Sequence, residues 1–270
     1  MIAAALALGV LTGCGLGDPR ITNLETFTAE EIFQLGEVEL SKGQPDDAAF
    51  YFGEIERLYP YSEWSKRALI MQAFSYHSDE DYPASRAAAQ RYLDFYPASE
   101  DAAYAQYLLA LSYYDQIDDV GRDQGLTFQA LQALRVVIEQ YPDSEYARAA
   151  IPKFDLAFDH LAAKEMEIGR FYLKRGHYAA SVNRFRVVVE SFQTTTQTPE
   201  ALHRLVEAYL ALGLTEEAQT AGAILALNYQ STEWYADSIA QLSGQGLQAQ
   251  ALGNNWLAAI YRQMILGEWL

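Results

Sequence analysis

The stretch LYPYSE, Leu58–Glu63, decides the fold, and close variants recur as FYPASE at Phe95–Glu100 and YPDSE at Tyr141–Glu145. Weaker echoes stand at SFQTTT, Ser191–Thr196, and NYQSTE, Asn228–Glu233. Proline has no backbone N–H with which to continue a helix. A Ser or Thr oxygen accepts from the free N–H groups of the next helix, and Glu suits that helix's positive end. Each stretch therefore reads as one helix stopping and another starting. Ser62, Ser99, Ser144 and Thr232 are the predicted caps, each followed by Glu, and Thr28 with Glu31 has the spacing of a capping box.

A second regularity lies between these marks. Tyr76, Tyr113, Tyr172 and Tyr209 fall at one place in successive units, with small residues three positions earlier at Ala73, Ala110 and Gly169, and Gly36 at the matching place in the first unit. Such residues belong where two helices approach closely. Ala48, Ser85, Ala130, Ser181 and Ala218 repeat the pattern in the second helix, and Gly43, Gly176 and Gly213 sit where a left-handed residue ends the first. The spacing resembles the tetratricopeptide (TPR) pattern of 34 residues, lengthened by about three. Five units follow, at roughly 29–62, 63–99, 100–144, 162–197 and 198–232, the third with an insertion, DQIDDVGRDQGL, in its turn. A further helical stretch from Glu145 to Glu165, with Ile151, Phe154, Phe158 and Leu161 at helical spacing and a kink expected at Pro152, runs into the fourth. The expected fold is an all-α TPR solenoid of five helix-turn-helix repeats with a C-terminal helical extension over 233–270, where Asn254–Leu270 reads as an amphipathic closing helix.

Composition narrows the function. Half of the 270 residues are hydrophobic, enough for a substantial core, and 36 acidic against 19 basic residues give a net charge of −17. That charge repels nucleic-acid phosphates and gives no overall attraction to anionic lipid. Catalytic motifs are missing: there is no nucleophile elbow, Walker loop or HExxH. His77, His160, His177 and His203 show no metal-ligand spacing, and acidic pairs such as Asp46 and Asp47 fall in predicted turns. The reading is a scaffold with no catalytic residues, metal, cofactor or small-molecule substrate.

The single cysteine, Cys14, ends an apolar run from Ile2 to Leu11 that is about half the length a spanning helix needs. LTGC, Leu11–Cys14, resembles the bacterial lipobox, which implies that Cys14 is the lipidated first residue of the mature protein; several acyl chains anchor stably where one does not. No Lys or Arg precedes the run, a departure from the usual basic start of a signal. Gly15, rather than Asp, follows the cysteine, which in that pattern implies the outer membrane. Residues 1–13 read as signal peptide, 14–27 as a lipid-anchored tether, 28–144 as repeats one to three, and 145–232 as repeats four and five with the preceding long helix.

In a TPR stack the first helix of each unit lines a groove. By register, Phe33, Glu37, Ile70, Phe74, His77, Tyr104, Tyr107, Leu111 and Tyr114 give an aromatic wall in repeats one to three. Met166, Arg170, Leu173, His203 and Glu207 make a more polar one in repeats four and five. Rigid rings give large contact area at low entropy cost, the make-up of peptide-binding hot spots; packing against neighbouring helices is the alternative use of each ring. Between Lys164 and Arg186 lie Lys164, Arg170, Lys174, Arg175, Arg184 and Arg186 with only Glu165 and Glu167, a local charge of +4 (6 − 2). Such an island suits an acidic protein partner or serves to neutralise acids within the stack.

Lipobox, five units, and two particular stretches together resemble the BamD family of outer-membrane lipoproteins over nearly the whole chain. The stretches are RLYPYSEWSKRALIMQAFSYHSDEDYPASRAAAQRYLDFYP, Arg57–Pro97, and RFYLKRGHYAASVNRFRVVVESF, Arg170–Phe192. The resemblance implies a scaffold on the periplasmic face of the outer membrane, within the β-barrel assembly (BAM) complex and its other lipoproteins. It further implies that the C-terminal repeats hold a periplasmic domain of BamA, with Arg184 of Val182–Asn183–Arg184 making an ion pair. The N-terminal repeats would meet unfolded barrel precursors, with Tyr59, Pro60 and Tyr61 in the matching region. Another cell-envelope TPR lipoprotein, such as a pilus-secretin pilot or a Tol-Pal coordinator, shares the anchor and the repeats.

Overall fold

The computed structural model describes residues 20–263; the signal-like run, Cys14 and residues 264–270 of the expected closing helix lie outside the described residues. Among the described residues there are twelve helices and no strand. Five hairpins come first: α1 (Ala29–Ser41) with α2 (Pro45–Leu58), α3 (Glu63–Ser78) with α4 (Tyr82–Phe95), α5 (Ala102–Tyr114) with α6 (Gly125–Gln140), α7 (Glu145–Lys174) with α8 (Tyr178–Ser191), and α9 (Thr198–Leu212) with α10 (Thr215–Asn228). Then come α11 (Glu233–Gly244) and the short α12 (Trp256–Tyr261). The chain divides into two compact units after Tyr96. In the first, consecutive helices pack together and α1 also meets α3; in the second, α5 meets α7, α7 meets α9 and α9 meets α11 besides their sequence neighbours. This is the TPR arrangement, first helix beside first helix.

The caps behave as their chemistry dictates. Thr28 Oγ1 accepts from the Glu31 N–H while the Glu31 carboxylate accepts from the Thr28 N–H at 2.7 Å, a bond that holds the Glu31 carboxyl below its ordinary pKa. Ser62, Ser144 and Thr232 accept from Ser65, Ala147 and Tyr235. Ser99 corrects the expectation: α5 starts later, after Asp101, and the Ser99 hydroxyl accepts from the Asp101 N–H at 3.2 Å, organising the turn rather than capping the helix. Gly43, Gly176 and Gly213 all hold φ at 74°, where a side chain is strained.

The small residues are where the hairpins close. A Cβ on Gly36 would lie 2.7 Å from the Phe52 ring, and one on Gly169 would lie 2.4 Å from Phe185, both phenylalanines being fully buried. Each such ring contributes roughly 1.5–3 kcal/mol by leaving water, and only a missing side chain opposite makes room for it. Ala73 and Ala110, with Ala48, Ser85, Ala130, Ser181 and Ala218 of the second helices, are wholly buried. Ser85 also donates to the Ala73 carbonyl at 2.9 Å, tying α4 to α3.

Three further features differ from the sequence reading or sharpen it. Residues 20–27 are not a free tether: Leu24 is buried in the first repeat's core, the Ile21 N–H donates to the Tyr51 hydroxyl at 2.9 Å, and Arg20 pairs with Asp46 and Asp47. Helix α7 runs through Pro152 without interruption and turns Ala147, Ala150, Ala157, Ala162, Met166 and Gly169 inward. Its larger Ile151 and Leu156 remain exposed, at 47% and 61%. The extension closes the last repeat: Leu242 fills the space over Gly222, and the Trp256 indole N–H donates to the Tyr209 hydroxyl at 3.0 Å. An unpaired end of a helical stack needs such a cover.

Candidate protein-binding surfaces

The aromatic residue after each cap glutamate governs the inner face. Trp64, Tyr146 and Trp234 occupy this second position in α3, α7 and α11, and each ring leans back on the first helix of the preceding hairpin. Centroid distances are 5.0 Å for Trp64 on Phe33, 5.1 Å for Tyr146 on Tyr104 and 5.4 Å for Trp234 on His203. Arg67 lies over Phe33 and Trp64, and Arg204 lies over Trp234. Sequence reasoning missed all five of these residues. The recurring Ser-Glu-Trp, Ser-Glu-Tyr and Thr-Glu-Trp triplets carried the signal.

This stacking corrects part of the expected groove. Phe33 and Ile70 are buried, at 3% and 7% exposure, and so are Met166 and His203; Trp64 covers Phe33 and Trp234 covers His203. Tyr59 sends its hydroxyl to the Phe27 carbonyl, fixing the end of α2. What remains open in the first unit is Tyr61, fully exposed, with Phe74 and His77 half-buried and the His77 ring edge-on to Tyr82. In the second unit Tyr104 and Tyr107 stay half-buried against Tyr146, and Lys153 sits 4.7 Å above the Tyr114 ring. Burial, then the neighbouring Tyr146, pushes the Tyr104 phenol up to about 12.

The basic island, contiguous in sequence, separates in space. Arg170 and Lys174, one turn apart, line a groove of about 720 Å³ between α7 and α9, floored by Phe171 and Leu173. There Arg170 pairs with Glu200 at 2.8 Å, and Arg204 with Glu200 at 3.2 Å and Glu207 at 2.7 Å. Arg184 lies on the α8 side, 3.1 Å from Glu165, and shares a shallow hollow of about 300 Å³ with exposed Asn183 and Tyr172. Arg186 pairs with Glu190 at 2.8 Å and stacks on Trp256, Arg175 covers Phe171, and Lys164 donates to the Gly121 carbonyl at 2.9 Å. Lys174 has no acidic partner among the described residues. Neutralisation inside the molecule thus accounts for much of the island, yet the Arg170, Arg184 and Arg186 side chains keep 41%, 42% and 44% of their surface in water.

One cluster has the composition of a nucleophilic triad. His203 Nδ1 lies 2.9 Å from Ser238 Oγ, and Nε2 lies 3.6 Å from Glu207. Ser238 has no exposed surface, so no substrate reaches it; burial pushes the His203 pKa down, and the neutral ring ties α9 to α11. Among the described residues no helix is long and apolar enough to cross a membrane.

Residues 25–224, spanning all five hairpins but for the last few residues of α10, match the family YfiO, outer membrane lipoprotein. The chain belongs to the YfiO family. Its relatives include the outer membrane protein assembly factor BamD of Caulobacter vibrioides, 44% identical over 248 residues that cover 92% of this chain and 81% of that protein. BamD of Rickettsia prowazekii is 38% identical over 236 residues, 87% of this chain and 94% of that protein. BamD of Neisseria meningitidis serogroup A is 26% identical over 238 residues, with 84% and 89% covered. In this YfiO chain the family match ends before α11 and α12, the helices that seal the fifth repeat.

Proposed function

We propose that this chain is a non-catalytic assembly factor for outer-membrane β-barrel proteins, held at the periplasmic face of the outer membrane by lipid on Cys14. The observation that carries the reading is the near-full-length likeness to proteins named outer membrane protein assembly factor BamD, at 44% and 38% identity. It favours barrel assembly over a pilot or Tol-Pal role. Repeats four and five dock on the periplasmic domain of BamA through the Asn183 and Arg184 hollow, with Arg170, Lys174, Arg175 and Arg186 as flanking cations. Unfolded barrel precursors meet the rings left open in repeats one to three, Tyr61, Phe74, His77, Tyr104, Tyr107 and Tyr114. Support from geometry is that Asn183 is exposed and that Arg184, though paired with Glu165, keeps a water-facing edge.

The test is purification of the lipidated protein from envelope extracts with its partners identified. BamA, the other BAM lipoproteins and barrel precursors are the expected companions. Arg184→Glu is expected to lose BamA while the monomer stays folded by circular dichroism; recovery of Tol-Pal or secretin components instead of BamA would overturn the reading.

A further inference from the structure

The mid-portion of α7 carries a surface that the barrel-assembly reading touches only at its edge, at Tyr114. Leu156 is 61% exposed and stands between two hollows, one of about 610 Å³ toward the 194–196 turn and one of about 400 Å³ toward the end of α5. Both fall in the size range of ligand-holding clefts. Pro152 and Phe158 wall the first; Tyr114 and Ile117 wall the second. An apolar ridge with a depression on either side is an unusual thing to leave in water.

The charge around it has one sign. Asp155 and Asp159 line the first hollow, Asp115 and Asp118 line the second, and no Lys or Arg lines either. Asp159 is engaged by the Thr196 N–H and hydroxyl, and Arg122 pairs with Asp118 at 3.1 Å from outside, while Lys153 lies over the Tyr114 ring. Asp155 is exposed. His160 also lines the α5-side hollow, with its Nε2 buried beneath the surface.

We propose that this saddle is a docking site for a cationic amphipathic polypeptide segment, whose apolar side chains straddle Leu156 while its Lys or Arg groups face the aspartates that line the two hollows. The apolar ridge supplies the contact area and the acidic rim supplies orientation and encounter rate. An anionic or uncharged apolar partner would strand the carboxylates against apolar surface.

The full chain is titrated with a labelled 14-residue amidated peptide of leucine and lysine in helical amphipathic order, read by fluorescence anisotropy. A peptide of equal charge with Gln for Leu is the control for non-specific attraction to a −17 protein. The Leu peptide is expected to bind at least tenfold tighter than the Gln peptide. Leu156→Gln, and Asp155→Asn with Asp118→Asn, are each expected to weaken it at least fivefold with circular dichroism unchanged, because all three positions are solvent-facing. Equal binding of the two peptides, or affinity unmoved by Leu156→Gln but lost with Phe171→Gln in the α7–α9 groove, overturns the proposal.

Discussion

Trp64 lies 5.0 Å from Phe33 and closes the seam between the first two hairpins from above. The ring belongs to α3 and its support to α1, so the contact forms only when consecutive repeats are stacked. Trp64→Ala opens that seam, and a loss of about 2 kcal/mol is expected in urea unfolding of the full chain, below the roughly 3–5 kcal/mol of a core aromatic because Trp64 is only half-buried. Trp64→Phe is expected to restore most of it. A loss below about 1 kcal/mol would mean that the ring is only a surface decoration.

A Cβ on Gly169 would lie 2.4 Å from the Phe185 ring, the tightest such approach at any described glycine of the second unit. Gly169→Val forces the Phe185 ring out of its position and is expected to cost about 1–3 kcal/mol, the usual penalty of overpacking. Adding Phe185→Leu to that variant is expected to recover part of the loss, a non-additivity measurable as a double-mutant cycle. Additive losses would show that the two sites do not share one space.

Glu165 and Arg184 pair at 3.1 Å across α7 and α8, with 21% and 42% of the side chains exposed. Exposed pairs contribute about 0.2–1 kcal/mol, so Glu165→Gln is expected to leave the melting temperature nearly unchanged. Its effect on the partner is different: with its internal counter-charge gone, Arg184 is free to pair elsewhere, and binding of the BamA periplasmic domain is expected to hold or tighten by calorimetry. Weaker binding would show that Glu165 orients Arg184 rather than competes for it.

His203 and Tyr104 titrate in opposite directions for the same reason, burial of a group that must charge. The His203 pKa is lowered in the folded chain, so the unfolded chain takes up the proton first. Its contribution is fully present above the unfolded value near 6.5 and is lost as pH falls below it. His203→Phe is expected to flatten the loss of stability below about pH 6.5, read from urea midpoints; an unchanged slope would assign the dependence elsewhere.

For Tyr104 the folded pKa of about 12 stands above the unfolded value near 10. Its neutral form is favoured by folding, so this contribution is intact below about pH 10 and disappears as pH rises through 12. Tyr104→Phe is expected to remove the highest-pH component of the ultraviolet phenolate titration. Loss of a component near pH 10 instead would mean that Tyr146 leaves the ring open to water.

The repeat, its helix starts and its left-handed turns were legible because each is a local matter: a proline, a hydroxyl oxygen and a missing Cβ act within one turn of chain, wherever the chain goes. Gly43, Gly176 and Gly213, and the caps at Ser62, Ser144 and Thr232, needed no tertiary knowledge. The candidate surfaces were less legible. Phe33 and Phe74 are both aromatic residues on first helices, yet one is sealed and one is half open, because Trp64 covers the first and register alone does not say what covers what. Arg170 and Arg184 lie in one charged run, yet they face different grooves, since α7 and α8 turn them apart.

Sequence by itself determined the number of hairpins, the caps at Thr28, Ser62, Ser144 and Thr232, and the family resemblance, all of which rest on residues near one another along the chain. Tertiary structure alone decided which rings and cations are left for a partner. Exposure is a property of two packed helices together: Leu156 stays in water because α7 turns its alanines inward, and neither α7's own pattern nor its composition contains that choice.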